Sequence, residues 1–297
     1  MKKIFYIIAL GVGLAGCSNN EDELLSTGSF PEDHVIRIIT EVNEPLSRAG
    51  YDVTNLERFG LMIRNSENAA YNYHKQMVSS GNAWSTSDGQ QMLWDAERTP
   101  VTMIAYAPYM SEAAPDASLA VNALTNQTTE ENVKSSDFLL MKATVDPEQD
   151  LTADGKLKIS LSHAMSKLII KITVNGTADA AMNKLGDMSI NGAVVNGICD
   201  LSATVPIVVP APDAVVATVA PYKGTESCEC ILPPQKIAEG FSVNFSYDGK
   251  LYIWTAKEAI ELEKGVEHTL TLNVNTTVRL ASKMARNWAT GQLIDRN

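Results

Sequence analysis

Apolar and polar residues alternate with a period of two over many short stretches of this chain, and that rhythm points to extended strands rather than helices. Leu157, Ile159 and Leu161 alternate with Lys156, Lys158 and Ser160, and Leu168, Ile170, Ile172 and Val174 continue the pattern. Phe241, Val243, Phe245 and Tyr247 lead into Asp248-Gly249 and then Leu251-Tyr252-Ile253-Trp254, a hairpin with a turn dipeptide that tolerates left-handed backbone. Leu270, Leu272 and Val274 alternate with threonine and asparagine, and residues 59–63, 101–106 and 138–144 read as further short strands. Helical spacing is sparse: 178–185 and 282–288 give one or two turns at most. The pattern predicts an all-β protein, a sandwich or a barrel.

With 297 residues, 45% of them hydrophobic, there is enough apolar material for about two domains. The polar stretch Asp146-Pro147-Glu148-Gln149-Asp150 is the expected joint, and Pro206, Pro210 and Pro212 mark a loop or strand edge. The net charge of -11 is spread along the chain. It repels a phosphate backbone, so nucleic acid is not an expected partner.

A search for chemistry returns little. His34, His74, His163 and His268 lie far apart, without the close neighbours a metal site needs, so no metal or cofactor is expected. No G-x-S-x-G or H-E-x-x-H occurs. Ser162 and His163 are adjacent, so in a strand they point to opposite faces and cannot act as nucleophile and base. His163 shares the apolar face of Leu161 and Met165, where a lone histidine is a buried, hydrogen-bonded core residue. Cys228 and Cys230 flank one residue and share a face; Cys199 could pair with either, leaving an odd thiol. No catalytic residues emerge, and an enzyme is not expected.

The first fifty residues carry the clearest processing signal. Lys2 and Lys3 precede the apolar run 4–14, too short to span a bilayer and suited to a signal peptide. It closes with Leu14-Ala15-Gly16-Cys17, the arrangement of a lipoprotein signal, which makes Cys17 the acylation site and 1–17 the signal segment. The literal G-x-G-x-x-G at 11–16 lies inside this segment, without the flanking strand and helix of a dinucleotide site. The acidic run Ser18-Asn19-Asn20-Glu21-Asp22-Glu23 is either a solvated tether or an export signal to the outer face of the outer membrane. Residues 35–42 read as a β-branched strand, followed by Pro45 and the turn-prone Ser47-Arg48-Ala49-Gly50, where a protease can enter.

Several segments together resemble the fimbrillin (Mfa-like) family. They are Ser47-Arg48-Ala49, Leu56-Glu57-Arg58-Phe59-Gly60, Trp84, Trp94, Ile104-Ala105-Tyr106-Ala107-Pro108 and Asp137-Phe138-Leu139-Leu140. The most specific is Leu161-Ser162-His163-Ala164-Met165-Ser166-Lys167-Leu168. The resemblance runs from the lipoprotein signal to the Trp288 region. It implies two tandem transthyretin-like β-sandwich domains, mapped to 49–150 and 151–297, and a subunit of an adhesive cell-surface fimbria. In such pilins an Arg-specific protease cuts a lipidated outer-membrane precursor, here between Arg48 and Ala49, and 18–48 is removed with its strand. The groove left open takes a C-terminal strand of another subunit; the candidate here is 278–297, with Val278, Leu280, Met284 and Trp288 as its apolar residues. Other fimbrillin subunits are then the partners, with a host protein or glycan as the adhesion target. Ser-Arg-Ala stands where many relatives have Thr-Arg-Ala, and the tail 291–297 is polar for a groove-filling strand. Stalk, tip and anchor roles all stay open. The rival reading is a monomeric surface glycan-binding lipoprotein using Trp84, Trp94, Trp254 and Trp288 as a platform.

Overall fold

The computed structural model describes residues 29–42 and 50–274, apart from short breaks at 53, 81–82, 115–116, 176–177 and 180–181, and the strand residues 279–287 and 293–294. The chain is nearly all β. Its first nine strands are β1 (Arg37–Val42), β2 (Arg58–Asn65), β3 (Tyr73–Ser80), β4 (Ala83–Thr86), β5 (Val101–Ala107), β6 (Ser118–Asn122), β7 (Leu139–Val145), β8 (Lys156–His163) and β9 (Ser166–Val174). Among the described residues there is a single short α-helix, Glu130–Ser135, capped by the Thr129 side chain.

One seven-stranded sheet runs β1-β8-β7-β5-β2-β3-β4. Along its central strands β5 and β2 both faces are buried. Phe59, Leu61, Ile63, Met103, Ala105 and Ala107 point into one core, while Met62, Ile104 and Tyr106 point into the other. This explains why β2 and β5 read as continuous apolar runs rather than alternating ones. Gly60 sits where β2 passes under Tyr106; a Cβ there would lie 2.3 Å from the ring. The joint expected at 146–150 lies in the connection between β7 and β8, and the sheet continues across it, Leu139 pairing with His163 and Leu140 with Ser162. Conversely, β6 pairs with Asn196–Asp200 in a three-stranded sheet on the second core.

Beyond β9 the strands surround that second core. Val266–Val274 pairs in parallel with β9 and antiparallel with Arg279–Asn287. Residues 282–288, expected at most as one or two helical turns, therefore lie largely in a strand, and the 178–185 segment holds a short 3-10 turn, Met182–Lys184. The expected hairpin forms, Ser242–Tyr247 with Lys250–Thr255. Asp248 and Gly249 both take positive φ, 50° and 76°, as the twist of a two-residue hairpin turn requires.

The segment from Leu161 to Leu168 is the crossover between the two cores. His163 is 2% exposed, and its Nδ1 lies 2.9 Å from Asp137 Oδ2. The backbone N–H of Tyr51 donates to that same oxygen at 3.0 Å. Next door, the ammonium of the fully buried Lys167 lies 2.9 Å from Glu229 and 4.0 Å from Glu267. The histidine is a core residue, as its apolar face predicts. Replacing it, His163→Gln, should lower stability by about 1–3 kcal/mol, the scale for disturbing a buried hydrogen bond. A denaturant midpoint would measure the loss, and fibre assembly by molecules that remain folded should be unchanged.

Candidate functional site

No group of three or more His, Cys, Asp or Glu among the described residues could hold a metal ion. The three described cysteines, Cys199, Cys228 and Cys230, are free and buried. Burial pushes the Cys199 thiol up to about 11 and the Cys228 thiol to about 12, away from a reactive thiolate. Trp94 and Trp254 are buried, and Trp84 packs edge-on against Phe59 at 4.7 Å, so these tryptophans do not form an open platform. Trp288 lies outside the described residues.

What stands out instead is the placement of β1. It pairs in parallel with β8, from Arg37 opposite Lys156 to Val42 opposite Leu161, and forms one edge of the seven-stranded sheet. Ile36, just before it, and its own Ile38 and Val42 are 7%, 5% and 6% exposed, in the core with Phe59, Leu157 and Leu161. Burying each contributes about 1.5–3 kcal/mol. Thr40 takes the fourth inward position and accepts a hydrogen bond from Trp84 Nε1 at 3.0 Å. On its other side, among the described residues, the backbone ties lie just before its start: Ile36 N donates to Met92 O at 2.9 Å, and Trp94 N to His34 O at 2.8 Å.

The outward side of β1 carries two charge pairs. Glu41 accepts from Ser160 Oγ and lies 2.9 Å from Lys158 Nζ, and the hydroxyl first, then the ammonium, lowers its pKa. Asp33 pairs with the Arg37 guanidinium, whose hydrogen bonds hold the carboxyl down at about 2. Both pairs are well exposed and add little to stability. The apolar face is what seats the strand.

Of the residues singled out in the sequence, Cys17, Arg48, Ala49, Val278 and Trp288 lie outside the described residues. The Arg48-Ala49 bond falls in the connection between the end of β1 at Val42 and Gly50. Leu280 and Met284 belong to the strand Arg279–Asn287, opposite Leu272 and Thr269 of the neighbouring strand.

The fimbrillin-like family model matches residues 47–288, and the chain belongs to that family. The match begins after β1 and reaches just past Arg279–Asn287. The fold is shared with a candidate cell adhesion protein from Bacteroides uniformis at a TM-score of 0.64 and 16% identity, covering 87% of this chain and 99% of that one. A second such protein, from Bacteroides ovatus, gives 0.65 at 17% identity over 84% and 96%. The tip fimbrial protein Mfa3 from Porphyromonas gingivalis, solved with a C-terminal truncation, gives 0.50 at 10% identity over 85% and 99%. No curated protein sequence matches the chain.

Proposed function

We propose that this chain is a structural or tip subunit of an adhesive cell-surface fimbria, polymerised by exchange of β1 for a strand of another subunit. The precursor is exported, lipidated at Cys17 and held on the outer membrane facing outwards. A protease cuts between Arg48 and Ala49, the piece carrying β1 departs, and residues 278–297 of a neighbour fill the vacated place, with Val278, Leu280, Met284 and Trp288 supplying its apolar contacts.

The observation that carries this reading is β1 itself. It is an edge strand whose inward face is apolar, and one cut in the following connection would free it. Its removal would leave the β8 edge unpaired and uncover the apolar residues beneath, a template for strand addition. The family match starting at residue 47 and the fimbrial tip protein among the structural neighbours point the same way.

The test is to treat the purified precursor with a trypsin-like protease and run unboiled samples on a denaturing gel. Ladders of regularly spaced polymers are expected, collapsing to monomer on boiling. A protein that is cut at Arg48 and stays monomeric would rule the exchange reading out.

A further inference from the structure

We infer that the seam between β1 and β4 is where the donor strand of a second copy first engages, while β1 is still seated. The inference rests on the strand-exchange reading and says where exchange starts. Among the described residues, β4 pairs only with β3, and β1 pairs along its length only with β8. The remaining backbone ties of β1 lie at its start, to the 92–94 segment. Thus β4 keeps one unpaired edge, and so does the later part of β1. The Trp84–Thr40 hydrogen bond spans the seam between these strands.

A cleft of about 400 Å³ runs along this seam, lined by Ile36, Ile38, Met77, Trp84, Ser85 and Met92 among others. Unpaired N–H and C=O groups above an apolar floor suit an extended segment whose alternate side chains are apolar. The cleft is also continuous with the place β1 fills, since β1 supplies one of its walls.

The occupant we assign is the 278–297 segment of a second copy. Its strand Arg279–Asn287 is nine residues long, against four in β4, so it could lie on β4 and extend past it along the seam. In a regular strand Leu280, Ser282 and Met284 would share one face; within its own sheet the register shift between Ser282 and Leu280 breaks that alignment, so the donor straightens there as it enters the seam. Exchange then becomes displacement: the incoming strand gains contacts at the seam as β1 loses them at β8. The apolar groove is never left open to water, where it would promote aggregation.

The experiment compares the Arg48→Ala precursor, which keeps β1 attached, with wild type cut after Arg48. Each is mixed with a synthetic 278–297 peptide or a scrambled version and followed by hydrogen-exchange mass spectrometry. In the uncut protein the authentic peptide should slow exchange about tenfold across 83–92, with β1 unchanged. Ser85→Arg, an exposed change that fills the cleft, should slow peptide uptake by the cut protein about tenfold without lowering its final extent. Uptake by cut protein with no protection at 83–92 in the uncut one would overturn this inference and leave the exchange reading standing. Equal protection by the scrambled peptide would also overturn it. Failure of both forms to take up peptide would remove the exchange reading, and this inference with it.

Discussion

An Arg48→Ala precursor should be exported, lipidated and fully folded, and should contribute nothing to fibres. The argument is about effective concentration. While the 43–49 connection is intact, β1 is tethered beside its own groove, where a short linker holds a segment at millimolar effective concentration. A donor from another molecule arrives at far lower concentration and must match a strand that already buries Ile36, Ile38 and Val42 and forms a six-residue parallel ladder with β8. The tethered strand wins that competition. A cut turns β1 into a separate peptide that dilutes away once displaced, and the same donor then prevails. The substitution changes none of the sheet's described residues, so stability should be unchanged, which a thermal midpoint would verify. The readout is fibre material sheared from cells and detected by immunoblot. Normal fibres from the mutant would end the maturation scheme.

The elements themselves were largely legible. Alternation at 157–161, 168–174 and 241–254 marks β8, β9 and the Ser242–Tyr247 hairpin, because one face of each meets a core and the period of two follows from that. Asp248-Gly249 was legible for a local reason, since few residue pairs accept positive φ twice in succession. Pairing was not legible. Nothing in the local pattern of 37–42 says that it runs parallel to residues 156–161, more than a hundred positions away. The polar 146–150 stretch suggests a joint by composition, but a surface loop within a sheet needs the same polar residues as a linker. Segment 282–288 has no period-2 alternation of apolar residues to mark it, and its pairing along Val266–Val274, with a register shift between Ser282 and Leu280, has no local signal. As for the candidate site, the sequence marked β1, but not Trp84 as the side chain tied to it, because that contact spans 44 positions.

Deleting 278–297 should give a subunit that folds, resists protease and never joins onward. The structure lays Arg279–Asn287 along Val266–Val274, so the segment joins a sheet within its own chain, and the question is whether its loss undoes the second core. Two observations argue that it does not. Val266–Val274 is held from its other side by an eight-pair parallel ladder to β9, which the deletion leaves intact. Its inward residues Leu270, Leu272 and Val274 are buried in the second core alongside Leu168, Ile170 and Ile172 of β9, so that contact also survives the deletion. The truncation exposes the edge of Val266–Val274, whose backbone groups water can satisfy. Some stability is lost, but the fold should hold. Function should fail completely, because under the exchange reading no other segment can enter the next groove. Mixed with wild-type subunits, the truncated protein should still accept a donor through its own groove and so end chains, shortening fibres in proportion to its share. Mass spectrometry of the protease-resistant species and fibre lengths in the electron microscope measure the two halves of this prediction. A truncated chain that is soluble, folded and still polymerises would show that the donor lies elsewhere; one that cannot fold would make 278–297 part of the core.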